Sequence, residues 1–131
     1  MIFCKIRFKN VNFDYHTFRN FSINDFIPMA EMLALKGNTV IRMGHKVGDF
    51  INTKNPKIID YEKRGFRTDL LDIYLAANCR YIVGSDTGYS TVSGWNFRRP
   101  IVYVNFSCFE YIEPWLSSWL FIFKKHWIKS E

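Results

Sequence analysis

Hydrophobic positions along this chain fall into two kinds of segment, short apolar runs and longer stretches with apolar residues at helical spacing. Ile2 to Phe8 alternates and carries β-formers, which predicts a first strand ending near Arg7. A polar and aromatic loop follows from Lys9 to Phe21. Ile23, Phe26, Ile27, Ala30, Leu33 and Ala34 then recur at the spacing of one helix face. Ser22, with Asp25 three residues on, resembles a capping box. Pro28 is tolerated only in a first turn, and Gly37 suits the position just past the helix end. Thr39 to Met43 predicts a buried strand that stops at Gly44, and Ile58 and Ile59 a minimal one ending at Asp60. Thr68 or Asp69 caps a helix through Leu70, Leu71, Ile73, Tyr74, Leu75 and Ala77. Tyr81 to Gly84, a short helix from Tyr89 to Trp95, and a final core strand over Ile101 to Val104 complete the series.

Short strands separated by helices predict βαβ units. The expected fold is therefore α/β, a Rossmann-like parallel sheet with helices on both faces. It occupies residues 1–113 as one lobe, with 114–131 as an aromatic extension, a truncated continuation of that lobe whose pattern suits a helix or a strand equally. Trp115 to Phe123 is apolar but far shorter than the roughly 20 residues of a membrane helix. It reads as a packing strand or an exposed interface, with at most peripheral contact to a membrane.

Composition adds a few exclusions. A chain of 131 residues, 48% hydrophobic and 23% charged, fits one ordered domain. Its 18% aromatic content suggests rings that another lobe or chain would cover. The net charge of +6 favours an anionic partner, but the basic residues are scattered. They form no stripe for a nucleic-acid duplex and suit phosphate better. Cys4, Cys79 and Cys108 are odd in number and widely spaced, so a disulfide framework is not expected and a reducing cytoplasm is. His16, His45 and His126 lack metal-ligand spacing, so no metal is expected. Met1 leads directly into a strand-like run with Lys5 and Arg7, unlike a signal peptide.

An open parallel sheet binds ligands beyond the carboxyl ends of its strands. The pattern puts Arg7, then Arg42, Met43 and Gly44, then Asp60 and Tyr61, then Ser85 to Ser90, then Asn105 at those exits. The sharpest element is Ser85-Asp86-Thr87-Gly88-Tyr89-Ser90-Thr91, a strand running through a glycine turn into a helix. Backbone N–H groups at a helix start attract an anion. Gly88 would let a phosphate approach the backbone, with hydroxyls from Thr87, Ser90 and Thr91 adding donors. The same residues also suit an ordinary capped turn. Arg42 could clamp a phosphate or end a strand at the surface; Asp60 could accept from a ribose or form a turn. Asp69 and Asp72, one helical turn apart, read as capping and dipole residues. No Walker loop, GxGxxG, zinc signature or Ser/His/Asp ordering is present, and no catalytic residue can be named.

The run from Cys79 to Gly88, followed by Arg99-Pro100-Ile101-Val102-Tyr103-Val104-Asn105-Phe106, resembles a family of bacterial surface-polysaccharide glycosyltransferases. These are similar to heptosyltransferases, whose donor lobe carries an Asp-Thr-Gly turn before a helix and then a Pro-led strand. Phe18-Arg19-Asn20, Val40 to Gly44, Ile59-Asp60-Tyr61 and Asp69 to Leu75 resemble the same family, in the same order. The resemblance implies one lobe of a two-lobed (GT-B) fold, a nucleotide-sugar donor bound in the cleft, and no cofactor or metal. Asp86, Thr87 and Gly88 would cradle the donor phosphates, assisted by Arg42.

Two departures stand out. Where relatives often carry a His-x-Arg-Asp-like run, this chain reads Lys5-Ile6-Arg7-Phe8; Arg7 keeps a cation, but the histidine and the acid are gone. The family's enzymes also run to several hundred residues, with an acceptor lobe ahead of the donor lobe. The expectation is thus a donor lobe acting on a cell-surface polysaccharide or related acceptor, incomplete alone. It would sit in the cytoplasm or at the inner face of the membrane, joined to a separate acceptor-lobe protein or to itself. A non-catalytic nucleotide or sugar-phosphate binding module, or an inactive remnant, are the alternatives.

Overall fold

The computed structural model describes residues 2–3, 21–44, 50–107, 109–112 and 117–125. In chain order it contains β1 (Ile2–Phe3), a 3₁₀ turn (Ile23–Phe26), α1 (Ile27–Leu35), β2 (Val40–Arg42) and β3 (Ile58–Asp60). Then come α2 (Asp69–Asn78), β4 (Ile82–Gly84), α3 (Gly88–Thr91), a π-helical turn (Val92–Asn96), β5 (Ile101–Phe106), a second 3₁₀ turn (Phe109–Tyr111) and β6 (Trp119–Phe123). The remainder of the predicted first strand, with Lys5 and Arg7, and the loop with His16 and Phe18-Arg19-Asn20 lie outside the described residues.

Both helix ends read from the sequence have a local cause. Pro28 occupies the first turn of α1, where its missing N–H removes no helical bond. The end of α1 is a Schellman motif: the N–H of Asn38 donates to Leu33 O at 3.1 Å and that of Gly37 to Ala34 O at 3.0 Å. Gly37 has φ of +86°, which glycine adopts without strain. Ser22 caps the 3₁₀ turn by accepting from Asn24 N, one residue short of the capping-box partner. Thr68 caps α2, its hydroxyl accepting from Leu71 N at 3.1 Å. Arg67 bridges the two first-turn carboxylates of α2, at 3.1 Å from Asp69 and 2.9 Å from Asp72.

All strand pairings are parallel. The hydrogen-bonded orders are β1-β2-β3 and β4-β5-β6, and β1 lies alongside β4. The spatial sequence is thus β3-β2-β1-β4-β5-β6. Strand alternation sends successive side chains to opposite faces, and each face holds its own core. On one, Val40, Ile58 and Val83 pack with Ala30 and Ala34 of α1. On the other, Ile82, Ile101, Tyr103 and Trp119 pack with Ala76 of α2, Met43 and Tyr89. Each core includes residues from both strand sets, with α1 packed on one and α2 on the other.

Two strand expectations need correction. Ile101 to Val104 is not the final strand, because β6 follows and pairs with β5. The aromatic segment after residue 113, expected to continue the lobe, thus contributes a strand beside β5. Asn105 is not a strand exit either. It sits inside β5 at a register irregularity, with φ of +56°, a left-handed conformation that asparagine tolerates better than most residues. Tyr103 pairs with Phe121 and Val104 with Ile122, but Phe106 pairs with Phe123. The extra residue flips the alternation, so Phe106 joins Tyr103 in the aromatic core instead of following Val102 and Val104 to the α1 face.

Candidate ligand crevice at the strand carboxyl ends

The carboxyl ends of β2, β3 and β4 carry the groups singled out in the sequence. At β2 and β3, Arg42 and Asp60 are register partners, and they meet. Arg42 Nη1 lies 3.3 Å from both carboxylate oxygens of Asp60, and the two residues are 5% and 7% exposed. Asp60 also accepts from the backbone N–H of Ile51 at 3.0 Å and of Lys63 at 3.4 Å. The buried pair ties Ile51, after β2, and the turn after β3 to the sheet through the Asp60 carboxylate. Gly44, buried just past β2, has φ of +144°, a backbone that a side chain would strain. Tyr61, also buried, accepts from Thr68 N at 3.2 Å and so links the end of β3 to the start of α2.

At β4 the strand leaves the sheet through Ser85 and Asp86 and turns at Thr87 into α3. Most hydroxyls here serve the turn. Ser90, 2% exposed, donates to Ser85 O at 3.0 Å. Thr87 Oγ1 lies 3.2 Å from Ser90 Oγ and caps the helix by accepting from Ser90 N at 3.5 Å. Thr91 Oγ1 donates to Thr87 O at 3.1 Å. Tyr89 reaches across to α2, its hydroxyl donating to Asp72 O at 2.8 Å. Ser85 and Ser90 are thus buried inside the turn, while Gly88 is exposed and Asp86 and Thr87 are half-buried. Burial pushes the Tyr103 phenol well above its ordinary range, and the Asp86 carboxylate adds to the effect. The Tyr103 ring itself packs with Phe106, Trp119 and Phe121.

The strand order makes this location significant. The chain runs outward from β1 through β2 to β3 on one side, and from β4 through β5 to β6 on the other. Between β1 and β4 the succession reverses, and connections leave in opposite directions. Open α/β sheets bind ligands outside the strand carboxyl ends at such a switch point. The Ser85–Gly88 turn follows β4, the strand beside β1. Arg7, assigned to the β1 side, lies outside the described residues.

Sequence reasoning missed a concavity elsewhere. A cavity of about 380 Å³ opens at the amino edge of the sheet, between the ends of α1 and α2, lined by Leu33, Asn38, Val40, Leu75, Cys79 and Tyr81 among others. Its one thiol is not an activated nucleophile. Burial raises the Cys79 pKa, and its Sγ sits 3.4 Å from Ala76 O. The signal for this cavity lay in the small and polar residues after each helix, Gly37-Asn38-Thr39 and Asn78-Cys79-Arg80, which leave the helix ends standing off the strands.

Among the described residues there is no cluster of three or more His, Cys, Asp or Glu side chains able to hold a metal. No helix among them is long and apolar enough to cross a membrane. Comparison with known proteins gave no matching family model, no matching curated protein and no matching solved structure.

Proposed function

We propose that this chain is a Rossmann-like, nucleotide-sugar-binding lobe of the GT-B glycosyltransferase type, with the donor phosphates at the Ser85–Gly88 turn. The observation that carries the reading is the reversal of strand succession between β1 and β4, with that turn at the carboxyl end of β4. The sequence resemblance, centred on Asp86-Thr87-Gly88, supplies the ligand class. Thr87 and the buried Ser85 and Ser90 hold the turn in shape, and Gly88 allows close approach to the backbone. Arg42 has a supporting role, since its pairing with Asp60 stiffens the neighbouring exits. Catalysis of sugar transfer needs an acceptor held within reach of the donor and a base at its hydroxyl; in this reading a second lobe, from another chain or elsewhere, supplies them.

The test is calorimetric titration of the chain with UDP-, GDP-, CMP- and ADP-sugars. One of them should bind, and Gly88→Val should weaken it at least tenfold, because a β-branched side chain crowds the phosphate approach. Thermal unfolding of the variant serves as the folding control. Binding by none of the four, or equal affinity in a folded Gly88→Val protein, would return Ser85–Thr91 to the role of a capped turn.

A further inference from the structure

The last strand of the β4-β5-β6 order has an unusual sequence symmetry. β6 reads Trp119-Leu120-Phe121-Ile122-Phe123, flanked by Ser117-Ser118 before it and Lys124-Lys125 after it. Its inner side pairs with β5, and no further strand lies outside it among the described residues. An edge strand offers a row of N–H and C=O groups to another strand, and proteins usually guard such edges with charges, proline or bulges. Between Trp119 and Phe123 β6 carries no charge and no proline, and the extra residue in its pairing with β5 lies on β5.

The two faces of this edge differ. On one, Trp119 is buried and Phe121 stacks on Tyr103, with ring centroids 5.3 Å apart. Phe109 stacks on Phe123 at 4.9 Å on this face. On the other face Leu120 and Ile122 are 63% and 55% exposed.

From these features we infer that β6 is a self-association edge, on which a second copy of this chain docks by antiparallel β6–β6 pairing about Phe121. The occupant follows from the order of residues. Turned antiparallel on itself, this segment sets Phe121 opposite Phe121, Leu120 opposite Ile122, and Trp119 opposite Phe123, so aromatic residues meet aromatic and aliphatic residues meet aliphatic. A two-fold axis through Phe121 perpendicular to the sheet keeps each face continuous. The exposed Leu120 and Ile122 of both copies then join into one apolar patch. Charge agrees with this register. Lys124 falls opposite Ser118 and Lys125 opposite Ser117, so the lysine pairs stand at opposite ends of the ribbon. Parallel pairing in register would set lysine against lysine. A closed, isologous dimer results, with no edge left on that side.

This inference is independent of the ligand reading. In analytical ultracentrifugation of the full chain, the expected species has twice the chain mass of 15.6 kDa. Ile122→Lys puts a charge against Leu120 of the second copy and should shift the mass to that of one chain. Leu35→Lys, at a position 85% exposed on α1, should leave the dimer intact. A second measurement guards against misfolding of the lysine variant. Opposed side chains in an antiparallel pair have Cβ atoms about 4.5–5.5 Å apart. A Leu120→Cys/Ile122→Cys chain should therefore give a covalent dimer on mild oxidation, while the parent and Leu35→Cys do not. A parent that stays monomeric up to its solubility limit overturns the proposal. So does a dimer that survives Ile122→Lys, or one that fails to crosslink through the paired cysteines.

Discussion

At Arg42 and Asp60, two rules for reading strands conflict. Charge at a strand exit suggests contact with solvent or ligand, yet alternation places Arg42 on the same face as Val40 and Asp60 on the same face as Ile58, both of which are core positions. Burial wins because the two side chains are register partners and neutralise each other at 3.3 Å. The sequence identifies both residues, but not their partnership, since the pairing of β2 with β3 spans a loop whose path it does not specify. Removing one partner leaves a desolvated charge. Arg42→Met should therefore cost about 3–5 kcal/mol of stability. Among the described residues Asp60 would keep the Ile51 and Lys63 N–H groups as hydrogen-bond donors. Replacing both, as Arg42→Met/Asp60→Leu, should cost less than Arg42→Met alone, because well-packed apolar pairs often match buried ion pairs. Urea denaturation of the three proteins measures this. A single-variant loss below about 1 kcal/mol would mean that water reaches the pair and screens it.

At the scale of elements, local chemistry was readable and long-range register was not. Pro28, Gly37 and Thr68 mark helix ends through hydrogen bonds a few residues long, and each acts as its residue type predicts. The bulge at Asn105 and the position of β6 depend on what the neighbouring strand offers, which no window of sequence contains. The predicted helix from Tyr89 to Trp95 shows both sides of this. Its start is capped as expected, but after Thr91 it widens into a π turn over Val92–Asn96. A π turn inserts one residue per hydrogen-bonded loop, and here it brings Gly94 against the sheet. A Cβ at Gly94 would sit 2.4 Å from Ile101 Cδ1 and 2.6 Å from Trp119 Cζ2. The Ile101 methyl can rotate away, but the Trp119 ring is held edge-on by Trp95 and Tyr103. Gly94→Ala should therefore destabilise by about 1–3 kcal/mol, as overpacking does, despite alanine's better helix propensity. A lowered midpoint in thermal unfolding is the expected result. A midpoint at or above the parent's would show that the π turn relaxes outward at no cost.

Across the whole molecule, the question is whether two hydrogen-bonded strand sets behave as one body. The ladder orders are separate, but the apolar interior is not. Val83 of β4 packs with Val40 and Ile58 of the other set, and Ile41 of β2 packs against the core of Ile82 and Ile101. Separating the sets would expose both cores at once, at a cost of roughly 25 cal/mol per Å² of apolar surface. That coupling makes a single cooperative transition the expected behaviour, as for most domains of this size. The sequence provides convenient probes. Among the described residues the tryptophans are Trp95 and Trp119, which meet edge-on beside Tyr103 of β5, so their fluorescence reports on the β4–β6 side. The helical signal in far-ultraviolet circular dichroism draws on α1, which packs on β2 and β3, as well as on α2. Urea unfolding followed by the two signals should give superimposable curves with one midpoint. If fluorescence changed at a lower urea concentration than ellipticity, the β4–β6 side would be unfolding alone, and the contacts across the β1–β4 junction would be too weak to hold the two sides of the proposed crevice as one rigid site.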